Sequence, residues 1–260
     1  MVFSKKQQKV FQLILFRKNM GTCMPKSKLK CFWKEDFTKL KIEKNYKASK
    51  WEKRKVKIVK KNIKYLLFLD WVKFIGITGS VAAGISKKND DIDVFIVVKN
   101  NRMWLYRAIM TLKLGRKSLR RVWNKPFKDK IDTNFICEER GILFNTESIF
   151  VLHELLFMIP VYDKEYYEKI LNVNHELLKN YGIQRKEEEV NKKKNYILAF
   201  LDKIAFILQY TYMFLKNHKP NTKRIKKNNK KGRIAFFPEN FRKEKVKEYE
   251  RFSKKLLTFN

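Results

Sequence analysis

Residues 74–98 read FIGITGSVAAGISKKNDDIDVFIVV: an apolar β-prone run, a Gly-Ser turn, small residues, a polar turn, and a second β-prone run opening on Asp-x-Asp. No other segment restricts the possible folds so tightly. Side chains alternate faces along a strand, so Asp91, Asp93, Phe95 and Val97 share one side and Ile92, Val94, Ile96 and Val98 the other. Two carboxylates therefore emerge together at the start of a strand, before bulky side chains cover them. Such a pair suits one or two hard divalent cations, Mg²⁺ first and Mn²⁺ as the alternative. These prefer oxygen ligands and are usually shared between carboxylates and substrate phosphates. Gly79 and Ser80 supply the complementary half. A strand that turns through glycine into a helix presents backbone N–H groups and a hydroxyl to an anion, and Ala82 and Ala83 let that helix lie close to the sheet. Other phosphate motifs are excluded: there is no GxxxxGK[ST] or GxGxxG, and Thr78 and Ala82 stand where a GxSxG elbow needs glycine.

Taken singly, a Gly-Ser turn is an ordinary turn and an Asp-x-Asp an ordinary solvated strand edge. In this order, with ten residues between Ser80 and Asp91, they resemble the signature of the nucleotidyltransferase superfamily of DNA polymerase beta, poly(A) polymerase, CCA-adding enzymes and kanamycin nucleotidyltransferase. The resemblance implies an α+β fold, a mixed sheet flanked by helices, and Mg²⁺-dependent transfer of a nucleoside monophosphate from an NTP, ATP first, with pyrophosphate release. It implies Asp91 and Asp93 as metal ligands and Gly79 and Ser80 as holders of the β- and γ-phosphates. A third carboxylate on a later strand is expected, and Asp132 in KIDTNFI is the candidate, with Asn134 as its competitor on the same face. Lys128 and Lys130 stand where they would either neutralise triphosphate charge or serve as solvated strand-end lysines. Over most of its length the chain also looks like bacterial nucleotidyltransferase-domain proteins of uncharacterised role, through Lys50-Trp51-Glu52-Lys53, Thr78-Gly79-Ser80, His153-Glu154-Leu155-Leu156, Pro160-Val161-Tyr162-Asp163 and Phe236-Phe237-Pro238. Those proteins begin with a winged-helix-like segment that residues 1–55 match poorly.

Around this segment the 260 residues divide into a basic N-terminal arm (1–55), a nucleotidyltransferase core (56–165) and an all-α region (166–260). Helices are expected from Trp51, over 102–114 with Gly115 ending it, and over 148–158, 164–181, 187–216 and 243–257. A strand is expected at 130–137. The stretch 216–233 holds nine Lys/Arg and no acid and reads as a mobile loop. The most apolar run, Tyr196–Leu215, approaches the length of a membrane span. Asp202, Lys203 and Gln209 near its middle favour a buried helix of the body and no span.

A formal charge of +35 makes the surface attractive to phosphates, so nucleic acid is a possible partner. Lysines outnumber arginines 48 to 13, which also fits the drift of an AT-rich genome. Three cysteines without metal-ligand spacing exclude a disulfide framework and a zinc site, and fit a reducing cytoplasm. His153 lacks a second histidine at i+4, so no HExxH is present. The acceptor expected is a small-molecule hydroxyl, a protein side chain or an RNA end. The rival readings are a catalytically silent nucleotide- or DNA-binding regulator, and an antitoxin-type enzyme that modifies a partner protein.

Overall fold

The structure, a computed structural model, describes residues 5–33, 48–122, 126–144, 148–215, 221–235, 244 and 246–251. These residues form a mixed five-stranded sheet with helices on both faces, in agreement with the α+β expectation. The elements are α1 (Lys5–Asn19), α2 (Lys26–Trp33), α3 (Lys50–Leu66), β1 (Val72–Ile77), α4 (Gly79–Ala83), β2 (Ile92–Val98), α5 (Met103–Arg116), β3 (Ile131–Glu138), α6 (Ile149–Phe157), β4 (Ile159–Tyr162), α7 (Lys164–Val173), α8 (His175–Lys179), α9 (Tyr196–Leu215), α10 (Thr222–Lys230) and β5 (Arg233–Ala235). The sheet order is β4-β1-β2-β3-β5. β2 and β3 run parallel across the α5 crossover, and every other pair is antiparallel.

The alternation along β2 sorts the interior into two cores. Phe95 and Val97 join Phe74 and Cys137 under α1, α2, α6 and α7. Ile92, Val94, Ile96 and Val98 join Ile75 and Ile77 under α3 and α5. The N-terminal stretch is part of this body over residues 5–33, with Val10, Leu13 and Phe16 fully buried in the first core. Residues 34–47 of the expected arm lie outside the described residues. Helix α3 begins on a capping box, Ser49 with Glu52, and holds the loops at the sheet's edge. Its Lys55 donates to the Lys87 carbonyl, and its Arg54 pairs with Asp129 at 2.8 Å.

Several expected elements differ. The single helix over 164–181 is two, because the Asn174 side chain bonds Ile142 O, Ile170 O and Phe144 N and pins a break between them. The helix expected from Glu187 starts only at Tyr196. Asn100 donates to the Asn191 and Lys193 carbonyls and holds the preceding segment extended, outweighing Glu–Lys pairs worth a few tenths of a kcal/mol. Helix α5 continues through Gly115 to Arg116. The stretch expected as a mobile loop contains α10 and β5; Asn221 caps α10, and Ile225 docks into the second core. Of that stretch, 216–220 lie outside the described residues, as do Phe236-Phe237-Pro238 and most of the expected final helix, of which 246–251 are helical.

The largest departure concerns α9, which is expected buried. Only 17% of its most apolar window is covered. Asp202, Ala205 and Met213 are its buried residues, and among the described helices it alone is long and apolar enough to cross a membrane.

Candidate active site

Parallel pairing sets Asp93 opposite Asp132, with Asp91 just ahead of β2. One carboxylate oxygen from each of Asp91, Asp93 and Asp132 lies within 4.8 Å of the others. An irregularity in the β2–β3 register makes this possible. Asp93 faces Asp132 while Phe95 faces Phe135, so β3 carries one extra residue at Thr133-Asn134. Asp132 and Phe135 thus stay on the face of Asp93 and Phe95, where strict alternation would have paired Asp132 with Asn134. The Asn134 side chain lies outside the described residues.

The Gly79-Ser80 turn meets this cluster directly. Thr78 N donates to the Asp93 carbonyl at 3.0 Å, and Gly79 takes a left-handed φ of +62°. A Cβ at Gly79 would sit 2.1 Å from Asp93 Oδ2, so only glycine fits against the carboxylate. Glu154 of α6 closes the other side, its Oε2 accepting from Gly79 N at 3.3 Å. Behind it His153 is fully buried, stacked on Phe157 and bonded at 2.9 Å to Arg17, which also donates to the Ala83 carbonyl at the end of α4. His153 is thus a packing residue that backs α4.

Crowding of negative charge dominates the electrostatics. Burial, and then the neighbouring Asp91, Asp132 and Glu154, push the Asp93 carboxyl up to about 8. Among the described residues Arg121 answers this charge: its Nη1 lies 2.5 Å from Asp91 Oδ2 and 2.7 Å from Asp132 Oδ2. Burial alone would lower the Arg121 pKa, but the carboxylates of Asp91 and Asp132 outweigh it and hold the guanidinium above its usual value. Lys128 and Lys130 do not take this place. Lys130 donates to the Ser118 carbonyl, Lys128 is exposed in the preceding turn, and neither reaches the carboxylates among the described contacts. Arg121 was not legible as a site residue: it sits in an irregular segment after α5, in an ordinary run of basic residues.

The donor set is all carboxylate oxygen, without histidine or cysteine, which matches the preference of Mg²⁺ or Mn²⁺ over zinc. The suppressed ionisation of Asp93 fits the same conclusion, since like charges this close ionise together only beside a cation. Beyond α4, a groove of about 950 Å³ runs between α2, α3 and α6; Val81 and Ala82 line one side, and Lys28, Lys53, Lys57 and Lys60 are among its cations. Comparison with protein-family models, with curated proteins and with solved structures finds no match to this chain.

Proposed function

We propose that the chain is a nucleotidyltransferase of the DNA polymerase beta superfamily, transferring a nucleoside monophosphate from an NTP, ATP first, to an acceptor hydroxyl. The reading rests on one observation: Gly79 abuts Asp93 so closely that the phosphate-type turn and the carboxylate cluster are one site. Asp91, Asp93 and Asp132 would hold Mg²⁺, or Mn²⁺ in its place. A divalent cation held there would offset the triphosphate charge and polarise the α-phosphoryl oxygens. The N–H and hydroxyl of Ser80 would take the β- and γ-phosphates, joined by the Gly79 N–H where the phosphate displaces Glu154 from it. Arg121, which pairs with Asp91 and Asp132, would be free to engage the triphosphate if a cation took over those carboxylates. Asp132 accepts the proton of the acceptor hydroxyl; the bond from that oxygen to the α-phosphorus forms as the bond to pyrophosphate breaks. The lysine-lined groove beside α4 favours a phosphate-bearing acceptor, an RNA end among them, over a neutral small molecule.

The test is transfer of label from each α-labelled NTP, with Mg²⁺, into the small-molecule, RNA and protein fractions of a lysate. Labelling by the wild type that stops in Asp91→Asn/Asp93→Asn supports the assignment, and the labelled fraction identifies the acceptor class. Mg²⁺-dependent NTP binding without transfer would support the silent regulator instead.

A further inference from the structure

Helix α9 is amphipathic in the inverted sense. Two of its polar residues, Asp202 and Gln209, point inward, while Lys203 and Thr211 are exposed. Asp202 Oδ1 accepts from the backbone N–H groups of Trp104 and Leu105 at 2.7 and 2.9 Å, capping α5 from outside. Gln209 bonds the Trp104 carbonyl and Arg107. Apart from Ala205, Phe206, Tyr210 and Met213, which meet the second core, most of its apolar residues point outward. Ile197, Phe200, Ile204, Ile207, Leu208 and Leu215 recur at helical spacing along one face and are 40–76% exposed. No acid interrupts that face, since Asp202, the helix's only acidic residue, is turned inward. Tyr196 and Tyr212, also exposed, flank it.

Basic residues flank the helix among the described residues. Exposed Lys192, Lys193 and Lys194 lead into it. Helix α10, with Lys223, Lys226, Lys227 and Lys230 exposed, is tied alongside it by the 2.6 Å bond between the Tyr210 and Thr222 hydroxyls.

We infer that α9 is a membrane-surface helix. Its outward face enters the headgroup–acyl boundary of an anionic lipid surface, and the flanking lysines engage the lipid phosphates. Such helices combine an apolar face, basic flanks and aromatic residues at headgroup depth, and all three are present. Asp202 and Gln209 keep the helix bound to α5, so it lies along the surface and does not cross it. A second copy is the poorer occupant, because pairing two chains of +35 through lysine-flanked helices brings like charges together. The inference is independent of the proposed catalytic activity.

The test is co-sedimentation of the full chain with phosphatidylcholine vesicles with and without phosphatidylglycerol. Binding is expected only with the anionic lipid. Phe200→Ser/Ile204→Ser/Leu208→Ser, which leaves the charge at +35, should weaken it by about tenfold or more, because apolar insertion is lost while attraction remains. Equal binding by this variant would overturn the inference, since charge alone would then suffice. In a chain altered only by Ile204→Trp, blue-shifted emission of the added indole with anionic vesicles is expected; an unchanged spectrum would overturn the inference without depending on whether the triple variant folds. Failure to bind vesicles, together with dimers in sedimentation velocity, would assign the face to a second copy.

Discussion

Around Asp93 and along α9 the chain does opposite things with burial. At Asp93, carboxylates are crowded into partial cover, and one of them resists ionising below about pH 8. Along α9, large aliphatic and aromatic side chains are held in water while an aspartate is drawn inside. Either arrangement costs stability if the chain is alone, and under the two proposals each would be relieved by a partner of definite chemistry, a cation with a triphosphate in one case and an anionic lipid surface in the other. The two also differ in how they are built. The acid site is fixed by backbone, through β2–β3 pairing and the Gly79 contact, whereas the α9 face is fixed by inward side chains, Asp202 and Gln209 by hydrogen bonds and Ala205, Phe206 and Met213 by packing.

The largest effect should come from Asp93→Asn. Loss of a ligand is expected to lower transfer by at least about a hundredfold, since even partners one step removed from a metal cost about 10- to 100-fold. Stability without metal should hold or rise as like charges are relieved. A chain that keeps its activity would show that Asp93 holds no cation needed for transfer. Gly79→Ala comes next, with about 1–3 kcal/mol lost from backbone strain alone and activity lost with it, because the new methyl collides with Asp93 Oδ2. Denaturant unfolding and the transfer assay report the two together.

The pH dependence sharpens the contrast. Between about pH 4 and 8 the folded metal-free protein keeps a proton on Asp93 that the unfolded chain releases, so raising the pH through this range removes stability. Asp202, raised to about 7 by burial, acts in the same direction. Thermal melts should therefore fall as pH rises. The slope should shrink in Asp93→Asn and stay unchanged in the α9 triple variant. Asp202→Ala should cost about 1–2 kcal/mol, the scale of a lost helix cap, while Asp202→Asn keeps an acceptor and should cost less. Smallest of all, Leu208→Ser should shift stability by within about 0.5 kcal/mol, because its side chain is largely exposed.

Much of the site was legible because its grammar is local. Runs of β-branched residues marked β1 and β2, and the Asp-x-Asp spacing put both carboxylates on one face. Asp132 was legible as a type of residue on a later strand but not as a register. The extra residue at Thr133-Asn134, which keeps it in the cluster, has no sequence mark. Strand β4 escaped notice because it is four residues long and contains Pro160. Helix α10 was hidden by its charge, since nine basic residues suggest a solvated loop until Asn221 and Ile225 are seen to cap and anchor it. For α9, hydropathy gave the helix but not its orientation. The signal was present, because Asp202 and Gln209 lie seven residues apart and share one face, leaving an opposite face that is apolar apart from Thr211, with Lys203 at its side.

The central claim is that the Gly79-Ser80 turn and the three carboxylates form one cation-dependent nucleotide site. Its most direct test is calorimetric titration of a non-hydrolysable ATP analogue into wild type and Asp91→Asn/Asp93→Asn, with and without Mg²⁺. The account predicts binding that requires Mg²⁺, disappears in the double variant and survives Phe200→Ser/Ile204→Ser/Leu208→Ser. Binding indifferent to both Mg²⁺ and the two aspartates, or no nucleotide binding by the wild type, would contradict it.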